Sequence, residues 1–141
     1  MARPRPYPWL LASITASLLV LAGRRLLRIE VQGQSMAPGL QPGDRLLAVR
    51  GLPPRARDVV TVTDPRQPSR VLVKRVVSVQ GDGRVELAGD NPRASTDSRS
   101  FGPVPAASVT ARVLWRYWPP QRRGWFPDRL TFARSRPAVL G

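Results

Sequence analysis

Arg70-Val71-Leu72-Val73-Lys74-Arg75-Val76-Val77-Ser78-Val79 decides the fold. The stretch is dominated by valine, whose branched Cβ suits a pleated strand better than a helix. Gln80-Gly81-Asp82-Gly83 follows as a hairpin turn, and Arg84-Val85-Glu86-Leu87-Ala88 reads as the returning strand. Upstream, Asp58 to Thr63 (DVVTVT) is another β-branched run. Pro42-Gly43-Asp44 makes a turn before Arg45-Leu46-Leu47-Ala48-Val49, and Arg28-Ile29-Glu30-Val31-Gln32 alternates. Val109 to Tyr117 supplies a last strand. No helical period holds after residue 30. The sequence therefore predicts a mainly β chain, with one compact, twisted antiparallel β domain over 28–118. Residues 119–141 are rich in Pro and Arg and read as a basic tail, poorly ordered or in contact with a membrane.

The composition excludes much. The chain has 141 residues, enough for one modest core. It has no cysteine, which removes disulfides, thiolate metal sites and cysteine nucleophiles. It has no histidine, which removes the Ser-His-Asp triad and the usual zinc hydrolases. The nine carboxylates are not spaced like a calcium loop, and no phosphate-cradling glycine motif is present. No metal and no cofactor is expected. The net charge of +14 suits anionic lipid or nucleic acid. The arginines, however, are spread along the whole chain, with neither a basic recognition helix nor an aromatic-basic interleave. Membrane lipid is the expected partner, and nucleic acid is not.

Trp9 to Gly23 is uncharged and mostly apolar, with Arg3 and Arg5 before it and Arg24, Arg25 and Arg28 after it. Fifteen residues of helix reach about 22 Å, against a hydrocarbon core of about 30 Å. Tyr7, Trp9 and the flanking arginines can lengthen the span by anchoring and snorkelling. The expectation is a basic N-terminus over 1–8 and a single-pass transmembrane anchor helix over 9–27. A cleaved secretion signal and a buried or in-plane helix stay open as alternatives. Positive residues on both sides leave orientation open.

The chain has 22 arginines and one lysine, Lys74. Arginine cannot be deprotonated in a protein, whereas a desolvated lysine gives up its proton readily. Genome composition alone also favours arginine, so a lone lysine can be an accident. Ser35 lies in Gly33-Gln34-Ser35-Met36-Ala37-Pro38, where a serine is ordinarily a turn residue. A serine nucleophile needs a base, and without histidine a neutral amine is the natural partner. Neighbours on a strand point to opposite faces, so Lys74 and Arg75 would serve different partners. Gly89-Asp90-Asn91-Pro92 and Ser95-Thr96-Asp97-Ser98-Arg99 form a third cluster. It reads either as a hydrophilic loop or as a support shell around the amine.

Together these residues resemble the type I signal peptidases, a family of Ser/Lys membrane proteases. Ser35-Met36-x-Pro38, Gly43-Asp44, Lys74-Arg75 and the stretch from Gly89 to Arg99 occur in the order of that family's motifs. The resemblance runs from about residue 29 to residue 117. It implies a β domain of the signal peptidase type behind an N-terminal transmembrane helix. It implies Ser35 as nucleophile and Lys74 as general base. Ser95 would orient the amine, and Asp97 would pair with Arg75 and Arg99. The backbone N–H of Ser35 would donate to the oxyanion. Gly33 stands where some members carry a further hydroxyl, so backbone donors would carry more of that task. Asp90 and Asn91 belong to the support shell. The substrate would add as a β-strand beside the segments before Ser35 and before Lys74. Small residues at −1 and −3 from the cut are implied, usually alanine.

Three functions compete at this point. The first is a signal peptidase in the cell membrane, its catalytic domain on the extracytoplasmic face, cutting exported preproteins. The second is a maturation protease that trims the propeptide of nickel superoxide dismutase, which short single-domain relatives of this family resemble. The third is a non-catalytic basic protein that binds membrane or nucleic acid. The apolar N-terminal segment favours the first, because a soluble substrate needs no anchor.

Overall fold

The computed structural model describes residues 7–94 and 102–126. Helix α1 runs over Pro8–Arg25, with proline in its first turn and arginines in its last. Both placements suit a helix: proline at the start gives up no needed N–H, and cations complement the C-terminal carbonyls. No residue of α1 is buried, so its leucines, Ile14 and Val20 face outward. Tyr7 and Trp9 at its start have ring centroids 5.8 Å apart. At 1.5 Å per residue its 18 residues span about 27 Å. No described helix is long and apolar enough to cross a membrane. The single-pass transmembrane anchor expected over 9–27 is therefore not found as a span, and its last two residues are not helical. Leu26 turns extended and, with Leu27, opens strand β1, Leu26–Glu30.

The remaining strands are β2 (Arg45–Arg50), β3 (Val59–Asp64), β4 (Gln67–Val79), β5 (Arg84–Ala88), β6 (Val104–Pro105), β7 (Val109–Trp118) and β8 (Gly124–Trp125). They form one sheet in the order β1-β2-β7-β3-β4-β5-β6, with β8 against β7. Every pairing is antiparallel. The mainly β, antiparallel reading thus holds. The segment 119–126, expected in the tail, folds: β8 pairs Trp115 with Trp125, and Phe126 is buried. Pairing there satisfies the half of β7 that β3 does not reach, since β3 covers only Val109 to Arg112.

Two apolar clusters hold the sheet. One gathers Val31, Met36, Leu40, Leu46, Ala48, Val59 and Val113 among others. The second gathers Val60, Val62, Leu72, Val76, Val85 and Leu87 with Val104. β3 contributes consecutive residues, Val59 and Val60, to different clusters, so it is buried on both faces. That explains the unbroken Val-Val-Thr-Val run that carries no polar face. Each fully buried valine stabilises the fold by about 1.5–3 kcal/mol relative to exposure.

At the margins of the sheet, β1 pairs only with β2, and β4 reaches β5 only from Arg75 onward. Among the described residues, β1 and the first half of β4 each leave one edge unpaired.

Candidate active site

The loop from Val31 to Asp44 joins β1 to β2 and carries Ser35. Its ends are tied: Val31 N donates to Asp44 O at 2.8 Å, and Gly43 N donates to Val31 O at 2.9 Å. Within it, Ala37 N reaches Gln34 O at 3.1 Å and Leu40 N reaches Met36 O at 2.8 Å. Met36 and Leu40 plug the core at 1% and 0% exposure, so the turn has little freedom to slide. Gly33 has φ +75, a conformation that residues with a Cβ rarely adopt. It sets the bend just before the serine.

Asp44 closes the loop from below. It is fully buried, and its carboxylate accepts from Gln41 N at 3.0 Å, from Arg116 at 3.4 Å and from Arg122. Arg116 Nη1 also donates to Gly39 O at 2.7 Å. The Gly43-Asp44 pair is thus a clamp between the serine loop and the last strands of the sheet. Sequence reasoning placed the pair in a turn but did not find its two arginines. One of them, Arg122, comes from the segment read as tail.

Ser35 opens into a cavity of about 410 Å³. Glu30, Val31 and Gln32 line one side, and Ser69, Arg70 and Val73 line the other. These residues lie at the end of β1 and along the unpaired half of β4. The cavity is therefore flanked by two strand edges unpaired among the described residues.

Lys74 follows Val73 of that wall and lies opposite Val60 of β3. It is 2% exposed, and Arg75 is 5% exposed. No buried side-chain nitrogen or oxygen among the described residues lacks a partner.

Arg75 makes a two-pronged contact with Asp90: Nε to Oδ1 at 2.8 Å and Nη2 to Oδ2 at 2.7 Å. Its Nη1 donates to the Arg57 carbonyl at 3.0 Å. Arg57 holds that carbonyl in place from a left-handed backbone conformation, φ 78. The residue after Asp90, Asn91, donates its backbone N–H to Ser35 O at 2.9 Å and its side-chain amide to Gln34 O at 3.2 Å. Arg75, Asp90, Asn91 and Ser35 thus form one connected unit. The expected pairing of Arg75 with Asp97 lies outside the described residues, and the described partner of Arg75 is Asp90. The reason is register: β4 pairs Arg75 with Ala88, so Asp90 emerges two residues later beside the guanidinium. The β-bulge between Val76 and Ser78 shifts this register by one residue, so counting back across the turn does not give it. Ser95, Asp97 and Arg99 lie outside the described residues.

Among the described residues no group of three or more His, Cys, Asp or Glu side chains is placed to hold a metal ion.

Comparison with known proteins identifies the family. The family described as signal peptidase, peptidase S26, matches residues 7–88 and 82–118. A mitochondrial ATP-independent inner membrane protease subunit 1b from Arabidopsis thaliana is 38% identical, over 65% of this chain and 70% of the relative. A mitochondrial inner membrane protease subunit 2 from Mus musculus is 32% identical, over 65% and 67%. The mouse subunit 1 is 30% identical, over 68% and 72%. Subunits of both kinds match, and the residues matched by the family include the serine loop, β4 and the turn into Asp90. This chain belongs to the signal peptidase family.

Proposed function

We propose that the protein is a membrane-associated serine endopeptidase that cuts signal peptides from exported preproteins, with Ser35 as nucleophile and Lys74 as general base. One observation carries the reading. Ser35 faces a cavity between two unpaired strand edges, and the chain's one lysine is buried on the strand that forms one of those edges.

A substrate strand lies between β1 and the first half of β4, its backbone completing both edges. The neutral Lys74 amine takes the proton from Ser35 Oγ as that oxygen attacks the scissile carbonyl. The carbonyl oxygen becomes an oxyanion, stabilised by the backbone N–H of Ser35. The Lys74 ammonium then returns the proton to the departing amine, and the C–N bond breaks. Water, deprotonated by the same amine, attacks the ester and releases the acid. Ser95 and Asp97 hold the amine and the loop in line by resemblance to the family. Arg75, Asp90 and Asn91 keep the serine turn against the sheet.

α1 presents apolar side chains on every face, with Tyr7 and Trp9 at one end and Arg24 and Arg25 at the other. That is the surface of a helix that sits in lipid, lengthened by its interfacial residues. It favours membrane-borne preproteins over a soluble propeptide. Eleven residues separate Gly23 from Ser35. Fully extended they reach about 36–40 Å, and with β1 and the turn folded they reach less. The nucleophile stays near the bilayer, where a signal peptide leaves it, and we place the domain on the extracytoplasmic side.

The test is a cleavage assay in detergent micelles on a preprotein with an A-x-A site, mapping new N-termini by mass spectrometry. Wild type should cut after A-x-A and Ser35→Ala should not. No cut by folded wild type would shift weight to a dedicated substrate, and then to a non-catalytic binding role.

A further inference from the structure

A larger cavity, of about 650 Å³, does not contain Ser35. Its walls include Leu27 and Ile29 of β1, Val71 of β4 and Val109 at the start of β7. Ile29 and Val71 also line the Ser35 cavity, so the two spaces are neighbours. Thr61 and Thr110 line it as well. Their hydroxyls lie 2.7 Å apart, and Thr110 Oγ1 also donates to the Thr61 carbonyl at 3.2 Å. They satisfy one another, so an apolar guest would leave neither without a partner. Arg28 and Arg50 are the charged side chains at this cavity, and both are exposed.

Strand geometry says which part of a substrate reaches it. Leu27, Ile29 and Val31 share one face of β1 and step by about 6.6–6.8 Å. A peptide running parallel beside β1 keeps the same step, so its residues −1, −3 and −5 share a face. With −1 beside Val31 and Ser35, −3 falls beside Ile29 and −5 beside Leu27. Val31 lines only the cavity that holds Ser35, and Leu27 lines only the larger one.

We infer that the larger cavity is a −5 subsite that takes a bulky apolar side chain such as leucine and rejects lysine or arginine. The inference rests on the endopeptidase reading above. It adds a positive requirement upstream of the small residues at −1 and −3. The space is far larger than alanine needs, and it lies within the range of pockets that recognise ligands.

The experiment uses the full chain in detergent micelles. Its substrates are peptides with alanine at −1 and −3 that differ only at −5: leucine, alanine or lysine. Wild type should cut the leucine peptide with kcat/KM about tenfold above the alanine peptide. The lysine peptide should fall below the alanine peptide, because Arg28 and Arg50 repel it. Ala107→Phe fills the cavity from an exposed position and should reduce the leucine preference to about threefold or less. Val109→Phe fills it from another wall and gives a second reading. Equal cleavage of the leucine and alanine peptides by wild type would overturn the subsite while leaving the peptidase intact. An unchanged preference in the folded filled variants would do the same. Cleavage of no peptide by wild type would overturn the endopeptidase reading and the subsite together.

Discussion

Replacing Asp90 with alanine should lower the melting temperature by about 12–20 °C. The side chains of Asp90 and Arg75 are 4% and 6% exposed, and two bonds of 2.8 and 2.7 Å join them. Such a pair shifts little net energy when formed, but removing one member leaves a buried charge without its counterion. That loss costs about 3–5 kcal/mol. The Arg57 carbonyl remains as an acceptor for Arg75, but it cannot neutralise the guanidinium. A domain near this size loses about 4 °C per kcal/mol, which gives the stated range. The assay is thermal unfolding of the full chain in detergent, followed by circular dichroism. A double variant, Arg75→Met with Asp90→Leu, removes both charges and should recover most of the stability. It should not recover cleavage if the pair also holds Asn91 against Ser35. A melting temperature for Asp90→Ala within about 2 °C of wild type would refute the reasoning, since no buried charge would then have been stranded.

Three more outcomes come from the same geometry. Asp64 accepts from the Arg66 side chain at 3.2 and 3.1 Å, and this bond holds its carboxyl below the ordinary value of 3.8, against the opposing effect of burial. A lowered carboxyl stabilises the fold above its ordinary pKa and loses that contribution as pH falls through the folded value. Urea midpoints of wild type should therefore fall more steeply than those of Asp64→Asn as pH drops below the ordinary value of 3.8, and equal slopes would contradict this. The cleavage rate should rise with pH, as a neutral-amine base requires, and a flat profile with chemistry rate-limiting would argue against such a base. Gly33→Val should cost about 1–3 kcal/mol of stability, because φ +75 is strained for a β-branched residue, and unchanged denaturant midpoints would refute that.

Much of the sheet was legible because its strands carry their own signal. Arg84–Ala88 matches β5, and the valine-rich run from Arg70 to Val79 falls inside β4. Gly83, with φ +82, sits in the expected hairpin turn. β1 begins two residues earlier than the alternation suggests, because Leu26 and Leu27 suit either the end of an apolar helix or the start of a strand. Pairing with Val49 and Ala48 decides for the strand, and that is a tertiary fact. β6 and β8, two residues each, have no period to read. At the candidate site, Lys74 stood out from residue type, since the chain offers no histidine and one lysine, whereas Ser35 stood out only through its motif. The partners of Arg75 and Asp44 were not legible. Asp90 needs the hairpin register, and Arg116 and Arg122 reach Asp44 from more than seventy residues away.

The central claim is that Lys74 supplies the base for Ser35. The most direct measurement is the initial rate of A-x-A cleavage by Lys74→Arg beside wild type, with both shown folded by circular dichroism. Arginine keeps the charge but cannot become a neutral base. The rate should fall by about 100- to 10,000-fold. A folded Lys74→Arg protein that cuts within about threefold of wild type would contradict the Ser35/Lys74 mechanism.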